Sequence, residues 1–117
     1  DISNIESAVR ELLKRPDVNL ILTTGGTGIG PRDNTPDVLD KLFDKKLPGI
    51  GEKMRLEGLK STPTSILSRS CAGVIGSKLI ISLPGSPKGA VESVSAIADV
   101  IPHALEMINN LTSHQPT

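Results

Sequence analysis

The chain has 117 residues, 37% hydrophobic but only 1% aromatic, with one Phe and neither Trp nor Tyr, and its 13 basic and 13 acidic residues leave no net charge. That composition excludes an aromatic base-stacking platform and nucleic-acid binding by bulk field, and the single cysteine, Cys71, excludes a disulfide framework or a multi-cysteine zinc site. No window reaches the roughly 20 apolar residues of a membrane span, so neither nucleic acid nor membrane is an expected partner. The length fits one domain, and with no secretory-signal pattern at its start the expected location is cytoplasmic.

Residues 3–15 are predicted helical. Ser3 with Glu6 makes a capping box, and Ile5, Val9, Leu12 and Leu13 form one apolar stripe before Pro16-Asp17. Residues 18–24 are an apolar run without alternation, as expected of a strand covered on both faces. Residues 25–34, Gly-Gly-Thr-Gly-Ile-Gly-Pro-Arg-Asp-Asn, are too glycine-rich for helix or strand. Thr35 at the N-cap, Pro36 at the first helical position and Asp37 in the first turn start a second helix. Val38, Leu39, Leu42 and Phe43 form its buried face, and Asp37 with Lys41 a surface pair. Pro48-Gly49 is expected to end that region before a helix over 50–59, and Thr62-Pro63 to break the chain again. Two strands, 71–75 and 78–83, are joined by Gly76-Ser77 as a hairpin turn.

A second loop follows at 84–89, Pro-Gly-Ser-Pro-Lys-Gly, then a helix over 90–98 with Val91, Val94, Ile97 and Ala98 in register. Pro102 begins a last helix facing inward through Leu105, Ile108 and Leu111. The polar residues 112–117 are expected to form a frayed, flexible tail. Met54 and Met107 fall at core-like positions, Cys71 reads as a small buried side chain, and His103 as a solvated one. The alternation of strands and helices argues for an α/β fold.

Both glycine loops follow an apolar strand and precede a helix, the place where open α/β sheets bind ligands and helix N-termini offer free N–H groups to anions. Neither common phosphate motif fits. The dinucleotide fingerprint needs glycine where Pro31 stands, and a P-loop needs Lys-Ser/Thr where Pro31-Arg32 stands. The loop remains a candidate phosphate cradle of another type. Asp33 behind it has two readings: a Mg²⁺ ligand beside substrate phosphates, or the cap of a turn.

The run Leu20-Ile21-Leu22-Thr23-Thr24-Gly25-Gly26-Thr27-Gly28, followed by Pro31-Arg32-Asp33-Asn34-Thr35-Pro36, resembles the signature of the molybdopterin adenylyltransferase family. Three further motifs occur in the family's order: Pro48-Gly49-Ile50-Gly51-Glu52-Lys53-Met54-Arg55, then Ile66-Leu67-Ser68-Arg69, then Leu83-Pro84-Gly85-Ser86-Pro87-Lys88-Gly89. The family includes the Mog and MoaB proteins and the G domains of gephyrin and plant Cnx. The resemblance runs from about Ile5 to Leu111.

It implies a three-layer α/β/α domain over residues 1–111 with a mostly parallel sheet, usually a homotrimer, here without the family's N-terminal strand and helix. The implied reaction transfers AMP from Mg-ATP to the terminal phosphate of molybdopterin, activating it for molybdate or tungstate insertion and hand-over to a metal-insertase. Carried over by residue, Gly25, Gly26, Thr27 and Gly28 wrap the nucleotide. Asp33 helps to hold Mg²⁺, with a second carboxylate at or just before Asp1. Pro84, Gly85 and Ser86 form a second wall near pterin or nucleotide, while Glu52, Ser68 and Lys88 are weaker candidates. The alternative is a catalytically weak molybdopterin-binding or scaffold domain of the same fold. A third reading is the related domain of the pathway's metal-inserting enzyme or of the competence/damage-inducible family, whose glycine loops differ; the Thr27-Gly28 pair and the run from Leu83 to Lys88 favour the adenylyltransferase.

Overall fold

A computed structural model describes residues 2–110. In chain order it contains helix α1 (Ile2–Leu13), strand β1 (Leu20–Thr24), helix α2 (Thr35–Leu42), strand β2 (Lys45–Lys46), helix α3 (Pro48–Gly58), a 3₁₀ turn (Pro63–Leu67), strands β3 (Ala72–Ile75) and β4 (Lys78–Leu83), and helices α4 (Pro87–Ile97) and α5 (Ile101–Ile108). The strands form one sheet in the order β1-β4-β3-β2.

Every residue of β4 is buried, which makes it the axis of the molecule. Period-two alternation sends Leu79, Ile81 and Leu83 into one core with Met54, Ala72 and Ile97. Ile80 faces the other way, toward Val9, Ile21 and Leu39. Helices α1 and α2 therefore cover one face and α3, α4 and α5 the other, which is the expected three-layer α/β/α arrangement. Lys78, buried at the start of β4, places its ammonium 2.6 Å from each of the carbonyls of Arg15 and Val18 and fastens the turn between α1 and β1.

Several expectations need correction. The sheet is mixed rather than mostly parallel: β1 pairs β4 parallel, while β3–β4 and β2–β3 are antiparallel. The Gly76-Ser77 turn dictates the first antiparallel pair, and Gly76 takes the positive φ, 60°, that such a turn requires. Strand β1 is an edge of the described sheet, so Leu22 is 44% exposed rather than covered. Helix α1 begins at Ile2, placing Ser3 inside its first turn, and α2 is capped at Asn34, one residue before Thr35.

Pro48 and Pro87 open helices α3 and α4 instead of standing in the breaks before them. Ser86 accepts a hydrogen bond from Gly89 N at 3.1 Å, a true N-cap. On α4 it is Ser93 and Ile97 that are buried; Val91 and Ala98 are exposed. Met54 is core, but Met107 is 49% exposed. Asp1, Leu111 and residues 112–117, and with them the expected second carboxylate and tail, lie outside the described residues.

Candidate functional site

Because β1 and β4 are parallel neighbours, with Thr24 opposite Leu83, the two glycine loops leave the sheet side by side. Gly25 N donates to Leu83 O at 2.9 Å, and a Cβ built on Gly85 would lie 3.2 Å from the Gly25 Cα. Gly25 and Gly26 both take positive φ, 89° and 69°. At Gly26 a side chain would also run into Thr35 Oγ1, so the turn that brings the loop onto α2 is closed to other residues. The structure thus brings the start of the first loop, at Gly25, against Gly85 of the second, with Gly26, Thr27 and Gly28 on the one side and Pro84 and Ser86 on the other.

The first loop is polarised along its backbone. Four of its carbonyls are occupied: Gly26 O accepts from Thr35 N at 3.2 Å, Thr27 O from Arg69 N at 2.6 Å, Gly28 O from Arg69 Nε at 2.8 Å and Gly30 O from Asp33 N at 3.0 Å. The amides of Gly26, Thr27, Gly28 and Ile29, in contrast, donate to no acceptor among the described residues, and neither do those of Gly85 and Ser86. Carbonyls bonded to the protein beside successive amides without a partner give the backbone the polarity that suits an anion, although Thr27 itself is buried.

Asp33 sits half-buried inside this loop. One carboxylate oxygen, Oδ2, accepts from Gly30 N at 2.8 Å, so the turn-capping reading of Asp33 is realised. Its Oδ1 takes part in no hydrogen bond or ion pair among the described residues, and the Asp33 carbonyl accepts from the Arg69 guanidinium. Side chains on Gly28 or Gly30 would come 2.9 Å from Oδ2, which explains the glycines around it. No group of three or more His, Cys, Asp or Glu capable of holding a metal occurs among the described residues.

Arg69, to which the sequence reading gave no role, ties this loop to the rest of the protein. Besides the loop carbonyls it forms a two-pronged pair with Asp37, at 3.0 and 3.2 Å. Asp37 is therefore paired with Arg69 rather than with Lys41, and the guanidinium beside it holds its carboxyl below the ordinary carboxylate value. Its signal was the Ser68-Arg69 step inside one of the four motifs. Arg55 supports the same segment from the other side, donating to Ser70 O at 2.9 Å and Ser68 O at 3.4 Å.

The weaker candidates are not gathered. Glu52 is exposed on α3 and bonds to neither loop among the described residues, Ser68 bonds to Ser70 in its own turn, and Lys88 is an exposed residue of the first turn of α4. Cys71 lies 3.4 Å from Ser82 Oγ, and burial raises its thiol above the ordinary value, consistent with a packing role. His103 is exposed. The concavities elsewhere include a cleft of about 370 Å³ lined in part by Arg55, Arg69 and Cys71, and an apolar groove of about 820 Å³ between α3 and α5.

Comparison with known proteins gives a consistent result. A family model described as "Probable molybdopterin binding domain" matches residues 1–103. Over 104 residues the chain is 43% identical to the molybdopterin adenylyltransferase of Helicobacter pylori, a match covering 89% of this chain and 59% of that protein. The chain therefore spans less than two thirds of that relative's length. Among solved structures it is similar to the molybdopterin biosynthesis enzyme MoaB of Thermus thermophilus, at 48% identity and TM-score 0.86 over 94% of this chain and 69% of that one. It is also similar to the tungsten cofactor synthesizing protein MoaB of Pyrococcus furiosus, at 31% identity and TM-score 0.84 over 92% and 69%. No helix of the described residues is long and apolar enough to cross a membrane.

Proposed function

The chain belongs to the molybdopterin-binding domain family, and from that membership we propose that it catalyses the Mg-ATP-dependent adenylylation of molybdopterin in molybdenum cofactor biosynthesis. The observation that carries this is the polarity of the first loop, whose amides on Gly26–Ile29 have no acceptor among the described residues while the carbonyls of Gly26, Thr27, Gly28 and Gly30 are bonded. Such a loop holds a polyphosphate through backbone dipoles and needs no basic face, in keeping with a chain of zero net charge.

In this mechanism Gly25, Gly26, Thr27 and Gly28 hold the ATP phosphates. Pro84, Gly85 and Ser86 form the opposite wall, where the pterin or the nucleotide rests. The heterocycles meet backbone and aliphatic surface, since the chain has neither Trp nor Tyr. A phosphate oxygen of molybdopterin attacks the α-phosphorus of ATP, and the bond to the departing pyrophosphate breaks. The attacking oxygen is already anionic, so the protein's task is alignment rather than proton removal.

Asp33 fits a Mg²⁺ site: Mg²⁺ asks of a protein only one or two carboxylates, and Oδ1 is uncommitted among the described residues. The ion, when bound, would neutralise charge on the reacting phosphates. On the same proposal the protein is a cytoplasmic homotrimer and passes its product to a metal-inserting enzyme.

The decisive variant is Asp33→Asn, because Asn keeps an acceptor for Gly30 N–H and removes the charge. Pyrophosphate release from Mg-ATP and molybdopterin is expected to fall at least about a hundredfold, with the melting temperature little changed. Unchanged turnover would overturn the role of Asp33. Tight ligand binding by the unaltered protein with no pyrophosphate released would favour a binding or scaffold domain instead.

A further inference from the structure

We propose that Arg69 is the positioning residue of the phosphate cradle, the group that keeps the carbonyls of the first loop turned away so that its amides face the ligand; this rests on the nucleotide reading above. Three of its contacts fall on the loop: its own N–H on Thr27 O at 2.6 Å, Nε on Gly28 O at 2.8 Å, and a terminal guanidinium nitrogen on Asp33 O. Two more reach the Asp37 carboxylate on α2, at 3.0 and 3.2 Å. A guanidinium has five N–H donors, and four are used here on protein acceptors. Arg69 is therefore not arranged to grip a phosphate itself. Its planar fork joins Gly28 within the loop, Asp33 near the loop's end and Asp37 in the first turn of the following helix.

The effect on the loop follows from peptide geometry. A peptide unit is rigid, so a carbonyl pinned on one side sends the N–H of the next residue to the other. Pinning Thr27 O and Gly28 O aims the amides of Gly28 and Ile29, which have no acceptor among the described residues. Glycines would otherwise let these units rotate freely, and the cradle would have to be ordered at the moment of binding. The backbone of Arg69 is itself held by Arg55 through Ser68 O and Ser70 O, so the fork has a fixed base. Lysine cannot do this work: its ammonium is a point charge and cannot span three separated acceptors in one plane.

The test compares Arg69→Lys with the unaltered protein in two measurements. The backbone amide order parameter of Ile29, which follows the Gly28 carbonyl held by the guanidinium, is expected to fall in the ligand-free variant, while that of Gly28, whose preceding carbonyl Thr27 O keeps its bond from the backbone N–H of residue 69, and those of β4 stay unchanged. The Kd for Mg-ATP is expected to rise about tenfold, the worth of roughly one charge-assisted hydrogen bond, and the KM for ATP to rise with it. A merely structural role would lower the active fraction, and hence the apparent kcat, at constant KM. A folded Arg69→Lys protein with unchanged Mg-ATP affinity, or with an equally ordered Ile29 amide, overturns the proposal. If the unaltered protein fails to bind Mg-ATP, the nucleotide reading falls instead, and the order parameters alone decide on Arg69. Should Arg69→Lys not fold, Asp37→Asn removes one anchor of the fork and is expected to give the same two changes at smaller size.

Discussion

The two glycine loops end neighbouring strands of one sheet and each delivers the chain to a helix, yet they are fixed by opposite means. The second loop is local. Ser86 caps α4 through Gly89 N, Pro87 takes the first helical position, and among the described residues the turn accepts no hydrogen bond from a residue distant in sequence. The first loop is ten residues long and contains two positive-φ glycines and a carboxylate folded back on itself. It is held by Arg69, which comes from a segment more than thirty residues downstream. A short capped turn carries its own order, whereas a long permissive loop must borrow order from elsewhere. Borrowed order has an advantage in a binding site: the clamp lies on the carbonyl side and leaves the amide side open.

Substitutions that strike the two loops unequally test this contrast. The largest effect is expected from Gly26→Ala, which places a side chain at φ 69° and against Thr35 Oγ1. It should cost about 3 kcal/mol in denaturant unfolding. The matched change Gly85→Ala meets only Gly25 Cα at 3.2 Å, without positive φ, and should cost about 1 kcal/mol. Equal losses at the two sites would remove the distinction. Ser86→Ala comes next, deleting the cap of α4 for about 1 kcal/mol. It should leave the amide order parameters of Gly26–Ile29 untouched, since nothing in the first loop depends on that cap.

The smallest effect is in acid. Asp37 is held below its ordinary value of 3.8, first by its hydrogen bond from Arg69. A carboxylate whose value is lowered by folding contributes in full above the ordinary value, and the contribution disappears as pH falls through the lowered one. NMR titration of the Asp37 side chain should show its midpoint moving up toward 3.8 in Arg69→Lys. A midpoint that stays put would mean that the guanidinium fork is not what holds Asp37.

What the sequence disclosed follows the range of the forces involved. The hairpin at Gly76-Ser77, the helix signalled by Thr35-Pro36 and the paired glycine loops are local signals, and all three appear in the structure, the helix starting one residue earlier than expected. Pro48 and Pro87 were misplaced because proline both breaks one element and opens the next, and composition alone does not say which. Strand β2 is two exposed lysines with no pattern of its own. It exists because Asp44 N and Leu47 N on either side bond to Val74 O and Ala72 O. The edge position of β1 was equally invisible, since an apolar run does not reveal how many neighbours a strand has. Arg69 escaped for the same reason: its partners Gly28, Asp33 and Asp37 lie 41, 36 and 32 residues away along the chain.

The pairing of Leu20–Thr24 with Leu79–Leu83 has a consequence for the order in which the molecule forms. That ladder can close only after about sixty residues of intervening chain have been drawn together, a slow, late step compared with folding the β3–β4 hairpin. Both walls of the cradle hang from it, so the site has no existence in a half-folded chain. A nucleotide would therefore recognise only the finished fold, and saturating ligand should protect the whole domain against unfolding rather than its loops alone.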